Sequence, residues 1–320
     1  MKNVVIVFGG NMQPSDPPFS RHHYQQAYEL LYPMAEAAGL TLYRAPLLWF
    51  DFEKNVFTQA WAFNQNKGWH LVSDVRPDLI EDRTNFSEEN QAKKNRLAKL
   101  FPLFNDPEFT KVANSKYETS LLFPQYFKPY HRINSKDALL QTLETIKGDS
   151  VVIKPEFGSG GKGVIIDTPT NIQRLALDYP LMLQEFIDSS HGIPGITPGY
   201  HDLRLVFINE ELIYSYIRIP KEGSLLANVA QGGTMEIIEP HQLPATLDPI
   251  IHDVQKVFTR FPRKTYTIDV LFDETAQPWI VELNTMPGVY FAPGQEVTRD
   301  HFYRALINDF QAILTEIRPS

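Results

Sequence analysis

The sequence predicts an α/β protein of two or three domains, and three stretches carry that prediction. The chain opens with an apolar strand at residues 4–8, the pair Gly9-Gly10 and a helix from Ser20 to Ala38, the usual start of an α/β domain. Midway, the apolar strand 151–155 runs through a glycine-rich turn into a second strand at 164–167. Near the end, residues 266–288 alternate with a period of two around a polar turn and read as a β-hairpin carrying acidic side chains.

A chain of 320 residues is ample for buried cores, and a hydrophobic share of 43% with 21% charged residues is that of a soluble globular protein. The formal net charge of −8 disfavours nucleic acid as the main partner, since that would call for a basic face. With no cysteine, disulfides, a thiol nucleophile and zinc-thiolate sites are excluded. That composition is compatible with the cytoplasm. The run Val4–Phe8 is too short for a signal-peptide core, and no apolar run approaches a membrane span.

The first 111 residues are expected to form one α/β unit, ending in a polar, proline-containing connection at 105–111. Ser20 is placed as the N-cap of the first helix, Gly39 as its stop, and Pro33 as a kink within it. Further strands are expected at 41–44, 47–52, 58–63 and 69–72, the last two joined by the hairpin turn Gln65-Asn66-Lys67-Gly68. A strand from 77 ends in Glu81-Asp82-Arg83-Thr84, where Arg83 either holds a carboxylate at the strand terminus or pairs with Asp82 at the surface. A helix over 87–100 presents a lysine-rich face read as solvated. The Gly9-Gly10 loop faces substrate or is simply a tight turn.

A second unit is expected over 112–187, with helices at 115–123 and 135–146 and Lys116 near the start of the first. Its strand ends in Lys154-Pro155 and leads to Gly158-Ser159-Gly160-Gly161-Lys162-Gly163. Glycines in such a turn let backbone N–H groups approach phosphate oxygens, and Lys154 and Lys162 supply positive charge. The spacing is not that of a Walker loop, and a strand rather than a helix follows. A flexible glycine hairpin with incidental lysines is the plain alternative. The strand 181–187 carries Gln184 and Glu185, and its edge suits a flat heterocycle or is ordinary core.

The third unit, 188–320, opens with a long Gly- and Pro-rich stretch at 189–200 that reads as a mobile loop. A hairpin of strands 201–207 and 211–219 places Arg204 and Arg218 among apolar residues, where an anion partner is expected. For Arg218 that partner is an ion pair with Glu211 or Glu222, or a bound anion. A second loop, 221–233, contains Asn228, and helices are expected at 247–261 and 299–317. In the terminal hairpin, Glu282 and Asn284 share a face, and Asp269 joins them if the strands pair in simple register. Two carboxylates and an amide oxygen suit Mg²⁺, which takes few protein ligands together with substrate phosphates. Acidic residues at strand ends are otherwise ordinary solvated surface.

Taken in order, these motifs resemble the ATP-grasp superfamily, and within it the glutathione-synthetase-like carboxylate–amine ligases. The resemblance runs from Asn114 to Gly288 and rests on Lys154-Pro155 with its glycine loop, 184–187, Asp202-x-Arg204, Arg218, Asn228, Gly232-Gly233, Asp269 and Glu282-x-Asn284-x-x-Pro287-Gly288. It implies an ATP-grasp fold: two α/β lobes sandwiching ATP, preceded by an N-terminal α/β domain. It further implies that Lys116 and Lys154 contact phosphates beneath a cover formed by Gly158, Ser159, Gly160, Gly161, Lys162 and Gly163. Gln184, Glu185 and Ile187 would hold adenine with Phe186 beside them, and Asp269, Glu282 and Asn284 would bind Mg²⁺, as a rule two ions, or Mn²⁺. Arg204, Arg218 and Asn228 would steady the transferred phosphoryl group. The 282–288 string follows the broad superfamily pattern rather than the tail of glutathione synthetase.

The residues suit that chemistry independently. A carboxylate becomes an acyl donor once phosphorylated, and phosphoryl transfer asks mainly for positioning and charge neutralisation, with no Ser/His or Cys/His nucleophile. The expected partners are a small carboxylate and an amine, from amino acids or peptides. Dimers are common in that family. The rival expectations are an ATP-grasp kinase or peptide-modifying enzyme, and a nucleotide-binding regulator that has lost turnover.

Overall fold

The computed structural model describes residues 1–10, 12–221, 223–225 and 233–316. The N-terminal sheet is built from β1 (Lys2–Phe8), β2 (Leu40–Pro46), β3 (Phe50–Asp51), β4 (Val56–Asn64), β5 (Gly68–Val75), β6 (Leu79–Arg83) and β7 (Leu103–Phe104), with α1 (His22–Ala37) after β1 and α2 (Glu88–Leu97) after β6. Strands β2, β1, β6 and β7 are parallel neighbours in that order, while β4 turns antiparallel against β2, β3 and β5. Val4–Val7 are wholly buried because both faces of a parallel strand are covered. Helix α1 runs through Pro33, held by the buried Leu31, Tyr32 and Ala35, and its N-cap is Arg21, with no side-chain cap, rather than Ser20. The expected strand 47–52 is a 3₁₀ turn, Leu47–Trp49, followed by the two-residue β3. A short apolar run has no period by which to separate a strand from a buried turn.

The connection at 105–111 contains a helix, α3 (Pro107–Asn114), so the expected boundary at 111 falls inside it. Asp106 caps it and Pro107 occupies its first turn, a start signal the polar composition hides. Helix α4 (Lys116–Leu122) follows, capped by Ser115. The next sheet is antiparallel, in the order β10 (Ile165–Asp167), β9 (Val151–Lys154), β11 (Leu181–Glu185), β8 (Tyr130–Ile133). Helices α5 (Lys136–Leu143) and α6 (Pro169–Ile172) cover it, burying Leu139, Leu143 and Ile172 against Val151, Ile153, Leu181 and Leu183.

The last sheet is antiparallel, in the order β14 (Thr234–Ile238), β13 (Glu211–Ile219), β12 (Asp202–Ile208), β15 (Thr265–Phe272), β16 (Pro278–Asn284). One face, with Leu203, Leu205, Phe207, Ile217, Ile268 and Val270, packs on α7 (Asp248–Phe258) and on Phe109 of α3. The other face is divided along its strands. Val206, Ile208 and Tyr214 join a core with α8 (Glu296–Glu316), α1 and the N-terminal sheet, whereas Asp202 and Arg204 lie at the polar end. Tyr303 of α8 donates to the carbonyls of Ala27 (3.1 Å) and Val289 (2.7 Å), tying first and last units together. The stretch 189–200 has no helix or strand of its own but is anchored: Ile193 is buried and bridges Thr197, whose carbonyl accepts from Ile193 N–H at 2.8 Å. No helix among the described residues is long and apolar enough to cross a membrane.

Candidate active site

The terminal hairpin forms as its alternation predicts, and its register aligns the acidic side chains. Asp269 lies directly opposite Glu282, Thr267 lies opposite Asn284, and a bulge between Asp269 and Val270 shifts the ladder beyond them. On the other side of β15, Asp269 pairs with Arg204, and Arg204 with Tyr216 of β13. One row across the sheet therefore reads Glu282, Asp269, Arg204, Tyr216. Direct cross-strand neighbours of opposite charge attract, and Arg204 grips Asp269 with two donors, Nε at 2.6 Å and Nη2 to the second oxygen. Arg218 donates from Nη2 to Asp202 (2.6 Å) and to Asp269 (2.7 Å).

This quartet of two arginines and two aspartates is nearly dry; Asp269 is 1% exposed and Arg218 5%. Burial disfavours the charge of Arg204, but Asp269 outweighs it and leaves the guanidinium pKa well above its ordinary value. Asp202 is pushed up by burial despite Arg218, and its Oδ1 has no hydrogen-bond partner. The expected pairing of Arg218 with Glu211 does not occur; Glu222, Asn228 and Gly232 lie outside the described residues.

Two lysines from the central unit reach the same row. Lys116, in the first turn of α4, places Nζ 3.1 Å from Glu282 Oε2 and donates to the Gly158 carbonyl at 2.7 Å. Glu282 also accepts from Asn284 at 3.0 Å. Burial alone would raise the Glu282 carboxyl; Lys116, Asn284 and Lys154 reverse this and bring its pKa to about 2. Lys154, at the end of β9, donates to Gln184 Oε1 (2.8 Å) and the Val281 carbonyl (3.3 Å) and sits 5.1 Å above the Tyr130 ring. Burial, reinforced by Lys116, lowers the Lys154 ammonium to about 7.

Above these lysines the turn from β9 to β10 carries four glycines with positive φ: Gly158, Gly160, Gly161 and Gly163. A side chain at Gly163 would also crowd Pro155 at 3.3 Å, so both conformation and space call for glycine there. Lys162 is exposed at the turn, as is Ser159. Phe157, just before the turn, stacks on Phe86 of the N-terminal unit, centroids 3.8 Å apart and planes at 14°.

Between the two lobes lies a cleft with about 830 Å³ of empty space. Lys154, Gly161, Gln184, Glu185, Phe186, Ile187 and Glu282 line it together with Asp202. Its apolar walls are residues that sequence reading did not single out: Val152, Val164, Ile166, Leu271 and Val281. In the sequence they are ordinary strand residues; only the facing of two sheets makes them walls. His201, also lining it, has its imidazole pKa lowered by burial and is fixed, accepting from Phe272 N–H at 3.1 Å with its other ring nitrogen on the Gly199 carbonyl. Buried Gln184 Nε2 has no protein partner, a donor a flat heterocycle can satisfy. An apolar slot, one free donor and a lysine-rich, glycine-lined end fit a nucleotide.

Among the described residues no group of three or more His, Asp or Glu side chains is set to hold a metal. Asp269, Glu282 and Asn284 supply two carboxylates and a neutral amide, the donor set that Mg²⁺ completes with phosphate oxygens.

The N-terminal unit departs from expectation. Arg83 does not pair with Asp82 at the surface; it is part-buried, bonded to Glu81 (3.1 Å) and to the Pro287 carbonyl (2.6 Å). Asp82 turns inward to Lys94 at 2.9 Å, so the helix face read as solvated carries a buried lysine. Alternation along β6 could have separated Arg83 from Asp82, since neighbours point to opposite faces.

An open cleft between an antiparallel sheet with a glycine flap and a second sheet with an acid–base row is the ATP-grasp architecture. The RimK-like ATP-grasp domain matches residues 127–295, just over half of the chain, and the chain belongs to that family. A glutathione synthetase of Prochlorococcus marinus subsp. pastoris is 37% identical over 94 residues, covering 27% of this chain and 28% of that protein. The tetrahydromethanopterin:α-L-glutamate ligase of Methanocaldococcus jannaschii is 23% identical over 256 residues, covering 75% of this chain and 77% of that one. Among solved structures, D-alanyl-alanine synthetase A of Vibrio cholerae superposes with a TM-score of 0.65 at 14% identity, covering 98% of each chain.

Proposed function

We propose that this protein is an ATP- and Mg²⁺-dependent carboxylate–amine ligase that forms an amide bond on an amino acid or small peptide through an acyl phosphate. The observation that carries the reading is the row Glu282, Asp269, Arg204 facing Lys116 and Lys154 across one cleft. In this reading Val152, Ile166 and Leu271 sandwich the adenine, and Gln184 with the strand edge to Ile187 reads its polar edge. Lys116, Lys154 and the 158–163 turn neutralise and enclose the phosphates. Asp269, Glu282 and Asn284 would hold the metal, which would offset the charge of the phosphates. The γ-phosphoryl passes to a substrate carboxylate, giving an acyl phosphate and ADP. An amine then attacks the acyl carbon, losing a proton, and phosphate leaves. Arg204 and Arg218 stabilise charge as it moves from ATP to the acyl phosphate, with Asn228 expected beside them.

The corresponding division gives substrate choice to the residues before α3, the phosphate lobe to α3 through residue 187 and the metal lobe to 188–320. We place the reaction in the cytoplasm, where ATP is supplied, with a homodimer as the form to test by sedimentation. The deciding experiment screens amino acids and dipeptides in pairs for release of ADP and phosphate. The ligase requires release that depends on both an acid and an amine. Release with one substrate and no phosphate points to a kinase, and tight ATP binding without turnover points to a regulator.

A further inference from the structure

A second pocket, at the carboxyl ends of β1, β2 and β6, has about 730 Å³ of empty space and an unbalanced charge. Its charged lining residues are Arg21, Arg44 and Arg83, with no acid among them. Arg83 is already engaged with Glu81 and the Pro287 carbonyl. Arg44 is not. Its guanidinium lies 3.8 Å from the Phe8 ring centre and 4.3 Å from that of Phe19, and its Nε donates to the Pro18 carbonyl at 3.0 Å. No carboxylate lies within ion-pairing distance of it among the described residues. Aromatic faces hold the guanidinium plane in place and leave its outer nitrogens as donors.

A partly desolvated cation with no ion-pair partner favours an incoming anion, and a fixed guanidinium edge matches a carboxylate with two parallel hydrogen bonds. The pocket also adjoins the catalytic row through the chain itself: Glu282 lines the nucleotide cleft, and Met286, in the segment that follows, lines this pocket. We propose that Arg44, seated on Phe8 and Phe19, receives the free, non-reacting carboxylate of an amino-acid or peptide substrate, with Arg21 and Arg83 adding positive field. This rests on the ligase reading. The apolar rings and Met286 favour an organic acid over inorganic phosphate.

The test is ligand-observed NMR on the full chain with N-acetyl derivatives of glycine, L-leucine and L-phenylalanine, each against its primary amide, with and without AMP-PNP. At least one acid is expected to bind at least tenfold more tightly than its amide, and Arg44→Met to remove that preference. Arg44→Lys should restore only part of it, because an ammonium lacks the fork. Melting of Arg44→Met should change little, since removal of a partly desolvated charge offsets the lost Pro18 bond and ring contacts; a lower melting point with acid binding intact would make Arg44 a brace and overturn the proposal. Equal binding of acids and amides, no Arg44-dependent binding of any acid, or Arg44-dependent binding of inorganic phosphate alone would overturn it too. AMP-PNP reports the nucleotide reading separately: binding of AMP-PNP without acid refutes only the pocket, and binding of acid without AMP-PNP refutes only the nucleotide cleft.

Discussion

Asp269 and Glu282 face each other as direct partners across β15 and β16, yet each is neutralised from a different side. Asp269 is held by Arg204 and Arg218 of its own sheet, whereas Glu282 is met by Lys116 from the opposite lobe. Like charges directly opposite on adjacent strands repel, so the pair persists only because cations flank it, and a bound cation between them would take over part of that role.

Glu282→Gln is expected to lower turnover by about a hundredfold or more while the fold remains. The carboxyl's pKa of about 2 lies below its ordinary 4.5, so its stabilising contribution is complete above pH 4.5 and is lost as pH falls toward 2. The variant should therefore show a flatter loss of stability between those values. ADP release and acid titration by circular dichroism check both, and undiminished turnover would remove Glu282 from the site.

Lys154 gives a slope of the same sign in a higher window, though here the charged form is the one the fold disfavours. Its pKa of about 7 lies below the ordinary 10.5, so the unfolded chain binds more protons between these values and stability rises with pH across that window. Phosphates in the cleft favour the charged form. Nucleotide binding near pH 7–8 should take up a proton and weaken as pH rises. Calorimetry in phosphate and Tris buffers would show a buffer-dependent enthalpy that Lys154→Met abolishes. Identical enthalpies in the two buffers with the native chain would contradict the assignment.

Arg218→Met leaves the part-buried Asp202 without its ion pair, a loss that approaches at most the ~3–5 kcal/mol of a fully buried pair. The structure thus predicts a lower melting point in addition to the roughly hundredfold loss of kcat expected from a transition-state role. Adding Asp202→Asn should restore most of the melting point without restoring kcat. If the folded fraction of Arg218→Met turns over normally, Arg218 is a structural brace alone.

Phe157→Ala removes the stack on Phe86 that tethers the glycine turn to the N-terminal unit. A stacked pair contributes about 0.5–1.5 kcal/mol beyond its buried area. The expected results are a several-fold rise in KM for ATP and faster amide exchange across 158–163. Unchanged exchange there would mean the stack does not order the turn.

The features legible in the residues alone were local. Alternation set the terminal hairpin and put Asp269, Glu282 and Asn284 on one face, because side-chain direction along a strand has a fixed period. Lys154-Pro155 and the glycines marked the turn that only residues tolerating positive φ can make. Caps at Ser87, Ser115 and Ser135 set helix starts through bonds made within three residues. Folding set the partners, because charge pairing acts through space across elements far apart in the chain. It turned Lys94 inward to Asp82, linked Arg83 to Pro287, and closed Arg204 and Arg218 around Asp269. It also brought α8 into one core with α1 and left Arg44 part-buried on two rings with no carboxylate in ion-pairing distance. No spacing rule encodes such a vacancy of charge; it exists only once the three strand ends that frame the pocket have been brought together.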